Sequence, residues 1–145
     1  MSVLFVCLGN ICRSPMAHGV MLQRAAARGR ALHVDSAGTI STHAGERPDP
    51  RTLDVLARHG VPLDHRSRRV RDDDFATFDL ILAMDHSNRT DLLARCPAEH
   101  AHKVRLVLEP IGGGIVKDPY YGGPSGFDLA YEQLTRACDA WLDTL

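Results

Sequence analysis

Val3-Leu4-Phe5-Val6-Cys7-Leu8-Gly9-Asn10-Ile11-Cys12-Arg13-Ser14-Pro15 joins an apolar run, a loop and a helix start without a spare residue. Apolar and aromatic residues bounded by a turn predict a buried strand. Ser14 followed by Pro15 predicts an N-cap with proline at the first helical position. A loop that ends at a helix N-terminus aims unpaired N–H groups and the positive end of the macrodipole into its hollow, which suits an anion. Cys7 and Cys12 lie inside that loop, and neither they nor Cys96 and Cys138 show zinc-ligand spacing or a disulfide framework.

Outward from this stretch, helical and extended patterns alternate. The first strand covers roughly Ser2 to Cys7, and a helix runs from Pro15 to about Arg28, closed by Gly29. Ala31 to Ser36 reads as a second strand and Ala37 to Pro48 as a loop. Asp49-Pro50 opens a helix that ends at His59-Gly60, and the arginines between Asp64 and Arg71 read as a solvated surface. Asp72-Asp73-Asp74 starts a short helix; Leu80 to Met84 is a buried strand, and Asp85 caps a helix toward Arg95. Lys103 to Leu108 makes a fourth strand, and Glu109 to Pro124 a long loop of the kind that often carries function. Ser125-x-x-Asp128 resembles a capping box for a last helix whose apolar face holds Phe127, Tyr131, Leu134, Cys138, Trp141 and Leu142. The pattern predicts one α/β domain over residues 1–145, with a parallel sheet and the ligand at the carboxyl ends of its strands.

Composition is that of an ordinary globular protein, with 44% hydrophobic and 24% charged residues. A formal net charge of -1 supplies no field that would draw the chain to nucleic acid or an acidic membrane. No Lys or Arg precedes the apolar stretch at Val3 and no small-residue cleavage site follows it, so neither a signal peptide nor a membrane span is expected, and the expected location is cytoplasmic. Nucleotide-binding glycine motifs are absent.

A thiol at Cys7, beside an arginine and a helix N-terminus, is expected to ionise readily, and the thiolate is the reactive form. Arg13 offers a planar, permanently charged fork that matches two phosphate oxygens. Gly9 lets the backbone turn toward the ligand, Asn10 suits a left-handed position, and Ser14 either caps the helix or donates to the thiolate. A thiolate attacking phosphorus needs a proton donor for the leaving oxygen, and Asp118 on the long loop qualifies.

These residues resemble the low-molecular-weight protein tyrosine phosphatase family. The matching pieces are VCLGNICRSPMA at 6–17, VDSAGT at 34–39, RHGVPLDHRSR at 58–68, DFATFDLILAMDHSN at 74–88 and DPYYGG at 118–123, in the family's order along nearly the whole chain. The resemblance implies a three-layer sandwich with a four-stranded parallel sheet in the order 2-1-3-4 and helices on both faces. It implies a phosphocysteine on Cys7, with Arg13 and the loop Leu8 to Cys12 holding the phosphoryl oxygens and Asp118 as acid, then base. Neither a metal nor a cofactor is required. Asn10, Ser14, Ser36 and His65 would brace the loop, and Cys12 would be the redox partner of Cys7. Leu8, Ile11 and Tyr120 would flank the substrate ring, with Ile40, Thr42 and Tyr121 completing the wall. The implied partner is a phosphotyrosine-containing protein, tyrosine kinases among them, and the implied state a monomer.

One departure stands out: the family often places Trp or Tyr near Thr42, and Ile40-Ser41-Thr42-His43 has neither, which predicts a wide pocket entrance. Three alternatives share the loop. The related bacterial protein arginine phosphatases carry Thr at the position of Ile11. Arsenate reductases need two further cysteines, and Met84-Asp85 stands where the first would be. A phosphate-binding module would have no use for Cys7, Arg13 and Asp118 together.

Overall fold

The computed structural model describes residues 1–145. Strand β1 (Ser2–Cys7) pairs with β2 (His33–Gly38) on one side and β3 (Leu80–Ala83) on the other, and β4 (Val104–Leu106) extends the sheet beyond β3. All pairings are parallel, and the strand order is β2-β1-β3-β4, as the resemblance implies. A central parallel strand is covered on both faces, which is why β1 reads as a continuous apolar run. Its alternation shows in where the side chains go. Val3, Phe5 and Cys7 join one core with helices α1 (Arg13–Ala27), α2 (Pro50–Arg58) and α5 (Pro124–Thr144). Leu4 and Val6 join a second core with Phe75 of α3 (Asp74–Thr77) and Leu92 of α4 (His86–Arg95).

Several element ends differ from the sequence reading. Helix α1 begins at Arg13, and Cys12 holds the cap position without a side-chain bond, so Ser14 is not the N-cap. Strand β2 continues through Ala37 and Gly38, because these pair with Val6 and Cys7. Lys103 belongs to a short 3-10 helix (Ala98–Lys103) that precedes β4, whereas Val107 and Leu108 turn out of the sheet. The capping box is not formed: α5 starts at Pro124 with Gly123 as cap, and Asp128 instead pairs with Arg58 of α2. Asp49 and Asp85 do cap their helices, accepting from the N–H groups of Arg51 and Asn88.

The arginine-rich segment is not uniformly solvated. Arg68 is largely buried, its guanidinium bridging Asp35 Oδ2 at 3.0 Å and Asp74 Oδ2 at 2.8 Å. That bridge ties the segment before α3 and the first residue of α3 to the middle of β2, where Asp35 lies opposite Leu4. Parallel pairing brings the carboxyl ends of β1 and β3 to one edge, with Met84 N–H donating to Val6 O at 3.1 Å. Val116 is tied to the same edge, its N–H donating to Met84 O at 2.9 Å, which delivers the long loop and Asp118 to the mouth of the first loop.

Candidate active site

From Cys7 to Cys12 the loop turns its carbonyl groups outward. Thr39 N–H donates to Cys7 O at 3.0 Å, Ile40 N–H to Leu8 O at 3.1 Å and Asp49 N–H to Ile11 O at 2.8 Å. Ser67 Oγ–H donates to Asn10 O, and Thr52 Oγ1–H to Cys12 O at 3.2 Å. No backbone N–H from Leu8 to Cys12 donates to a protein acceptor. Unpaired N–H groups around one hollow, next to the N-terminus of α1, make an anion cradle. Neighbouring segments hold the ring open by occupying its carbonyls.

Asn10 carries the strain of this turn, with φ of 58°, the left-handed conformation expected for it. Both ends of its side-chain amide are bonded. Arg68 N–H donates to Asn10 Oδ1 at 3.1 Å, His65 Nε2 lies 2.9 Å from the same oxygen, and Asn10 Nδ2–H donates to Ser14 Oγ at 2.7 Å. Ser14 Oγ stands 3.0 Å from Cys7 Sγ. Ser14 therefore faces the Cys7 thiol rather than the helix end. Ser36 Oγ lies 3.2 Å from His65 Nε2, so a run of short polar contacts links Ser36, His65, Asn10 and Ser14.

Arg13 is 3% exposed, and its fork is aimed by two neighbours that the sequence did not assign to it. Nη1 donates to Asp85 Oδ2 at 2.7 Å and to Val116 O at 2.9 Å. Nη2 lies 3.6 Å from Asp118 Oδ2. The Asp118 carboxylate also accepts from Tyr120 N–H at 3.1 Å, which turns the acid loop toward the cradle. Arg51 lies over the rings of Tyr120 and Phe127, at 5.4 Å and 4.5 Å, and so props that loop against α5.

The cleft above the cradle is lined by Cys7, Arg13 and Asp118 at its floor, and by Leu8, Ile11, Ile40, Tyr120 and Tyr121 among its walls. Thr42 is exposed and does not line it, contrary to expectation; His43 does. The imidazole of His43 comes close to Gly9, where an added Cβ would meet its Cδ2 at 3.0 Å, and Nδ1 is held 3.0 Å from Glu46 Oε2. A flat ring thus walls the entrance after all, one residue beyond the position where an aromatic was sought. Asp85, His43 and His18 border these residues and are not among the site residues expected from the sequence. Only Asp85 carried a signal, as the first residue past the carboxyl end of a buried strand run.

Cys12 is buried beside Asp49, and burial followed by that carboxylate pushes its thiol up, so the readily ionised role does not fall to it. Cys96 and Cys138 stand outside the cleft, leaving Cys7 and Cys12 as its only thiols. The ligand atoms of His18, Asp35 and His65 lie within 4.8 Å of one another. Their atoms are engaged within the protein: Asp35 accepts from Ser36 N–H and Arg68, and His65 Nε2 meets Asn10.

The model of low molecular weight phosphotyrosine protein phosphatases matches residues 2–145. A low molecular weight phosphotyrosine protein phosphatase from Schizosaccharomyces pombe is 46% identical, covering 99% of this chain and 96% of its own. A crystal structure of a protein tyrosine phosphatase from Entamoeba histolytica superposes with a TM-score of 0.95 at 40% identity, covering 99% of this chain and 95% of the other. An arginine phosphatase from Drosophila shares the fold, with a TM-score of 0.93, 37% identity and coverage of 99% and 97%. With a thiol, a guanidinium and a carboxyl group gathered at an anion cradle, and relatives matched from end to end, this chain belongs to the low-molecular-weight phosphotyrosine protein phosphatase family.

Proposed function

We propose that residues 1–145 form one catalytic domain that hydrolyses phosphotyrosine and small aryl phosphates, with Cys7, Arg13 and Asp118 as its chemical groups. The observation that carries the reading is their convergence on one cleft whose walls are apolar and aromatic. In the first step, Cys7 Sγ attacks phosphorus opposite the ester oxygen, and an S–P bond forms as the P–O bond breaks. Arg13 and the inward N–H groups hold the equatorial oxygens, and Asp118 gives its proton to the departing phenolate. In the second, Asp118 as carboxylate takes a proton from water, the water oxygen attacks phosphorus, and the S–P bond breaks to return the thiolate and release phosphate. Positioning and fixed charge supply the catalysis, as is general for phosphoryl transfer.

Ile11 favours a phenyl ring over a guanidinium because it presents hydrocarbon where a cationic group would lose hydration. No helix is long and apolar enough to cross a membrane, and we assign the activity to the cytoplasm, acting as a monomer on phosphotyrosine proteins, tyrosine kinases included. The test is hydrolysis of an aryl phosphate in the presence of chelator. Cys7→Ser is expected to abolish turnover and Asp118→Ala to lower it about 10²- to 10⁴-fold. Full activity of Cys7→Ser, or loss of wild-type activity to chelator, overturns the mechanism. Parallel assays with phosphotyrosine, phosphoarginine and arsenate read the substrate class.

A further inference from the structure

His18 lies one helical turn beyond Ser14 on α1 and is 8% exposed. Its Nδ1 stands 3.2 Å from Ser36 Oγ, and its ring meets that of His65 edge-on, with centroids 5.1 Å apart. The direction of each bond from here to Cys7 follows from one fixed donor. Arg68 N–H can only donate, so the atom it meets at 3.1 Å is the amide oxygen of Asn10, and the amide nitrogen faces Ser14. His65 Nε2, also facing that oxygen, must then carry a hydrogen. With Nε2 protonated, Ser36 Oγ, 3.2 Å from it, cannot donate there and at most shares that hydrogen as a second acceptor, leaving the Ser36 hydrogen for His18 Nδ1. At the other end, Ser14 accepts from Asn10, and its own hydrogen faces Cys7 Sγ at 3.0 Å, with Ala37 O a longer alternative acceptor at 3.4 Å.

We propose that His18 is a positioning residue for the phosphatase reaction, the neutral acceptor at which the brace Ser36–His65–Asn10–Ser14–Cys7 terminates. A proton on Nδ1 reverses the last bond. Two N–H donors then face Ser36 Oγ, and the hydrogen of this fully buried hydroxyl loses its acceptor. Burial, and then His65, keep His18 neutral, lowering its pKa to about 4. The other charged groups that face the pair are Asp35 and His33 of β2, with Arg68 and Asp64 beside His65.

The inference rests on the proposed function only for its turnover readout. Alkylation of Cys7 by iodoacetamide, followed by peptide mass, needs no substrate and separates the two. In His18→Ala, folded enzyme is expected to lose kcat/KM for an aryl phosphate about fivefold to tenfold, the equivalent of one hydrogen bond, with alkylation of Cys7 slowed to a similar degree at about pH 6. His18→Gln supplies an acceptor that does not titrate. It should stay within about twofold of wild type at neutral pH and lose less of its alkylation rate than wild type as the medium is acidified. Where His18→Ala does not fold, His18→Gln decides alone. Wild-type alkylation in folded His18→Ala, or an unchanged acid-side loss in His18→Gln, overturns the proposal, because a merely structural histidine would move the melting temperature and neither of these.

Discussion

Arg13 and Asp85 form a nearly dry ion pair, Nη1 to Oδ2 at 2.7 Å, with the guanidinium 3% and the carboxylate 21% exposed. Asp85 also accepts from Asn88 N–H through its other oxygen, so it cannot follow the arginine if the fork swings. Truncating one member of a buried charge pair costs about 2–5 kcal/mol, and an isostere that keeps an acceptor loses part of this. Asp85→Asn should therefore lower kcat/KM about tenfold or more with little change in fold. Steady-state kinetics alongside circular dichroism checks it, and wild-type kcat/KM would show that Arg13 aims itself.

Gly38 supports the phosphate loop from below. A Cβ built there would lie 2.7 Å from Leu8 O, 3.1 Å from Gly9 C and 3.2 Å from Asn10 N, all backbone atoms of the cradle. Backbone held by this many bonds does not yield cheaply, so Gly38→Ala must displace the loop. We expect about 1–3 kcal/mol of destabilisation from overpacking and up to about a hundredfold loss of kcat from misplaced N–H groups. Urea unfolding and turnover on the same preparation test both, and an active, stable Gly38→Ala would mean the loop relaxes freely.

The parallel sheet was legible because a strand buried on both faces must be written in apolar residues, as Val3 to Val6 and Leu80 to Ala83 are, whereas the strand order came only from the family resemblance. Cys7, Arg13 and Asp118 were legible because loop chemistry is dense and local at the first two, and Asp118 sits in a recognisable DPYY run. What stayed hidden depends on long-range partners. Arg68 looks like one of several surface arginines until Asp35, 33 residues earlier, is folded against it. Ser14-Pro15 is a sound capping signal locally, but Arg13 already joins the helix, and Ser14 is needed at Cys7. His18 looks like an ordinary helix residue until Ser36, 18 residues later, and His65 are folded against it.

Arg68 should be structural to a degree unusual for this charge class. It neutralises Asp35 and Asp74, and the latter side chain is only 4% exposed. Removing the shared partner leaves two carboxylates without their cation, for which about 3–5 kcal/mol is the ordinary cost. Arg68→Met, which keeps the aliphatic stem, is expected to unfold at much lower urea. A shift worth less than about 1 kcal/mol would place the segment among ordinary surface salt bridges.

His43 should set access rather than chemistry. Its ring stands against Gly9 and is tethered to Glu46, while Thr42 is exposed and does not line the cleft. Replacing it by Ala opens that wall without touching Cys7, Arg13 or Asp118. KM for bulky aryl phosphates should change severalfold, with kcat held within about twofold, as expected when only uniform binding is lost. Thr42→Ala is the control and should change neither; an equal effect at the two positions would return the wall to Thr42.

Acid stability should carry the mark of the buried imidazoles. Burial, followed by the neighbouring His65, lowers the His18 pKa from 6.5 to about 4, and burial lowers His65 in the same direction. A group whose folded pKa is depressed takes up protons more readily when unfolded, so unfolding gains protons and stability rises with pH across the interval. The His18 contribution is thus fully present above about pH 6.5 and is lost as pH falls toward about 4, amounting to about 3 kcal/mol. Asp35 and Asp49 are held below 3.8, against their burial, by Ser36 N–H and Arg68 for the first and by Arg51 for the second, so their losses come at lower pH. Urea midpoints measured across the upper interval therefore isolate the histidines. His18→Gln should flatten that slope, and a slope as steep as wild type would assign the acid sensitivity to groups other than His18.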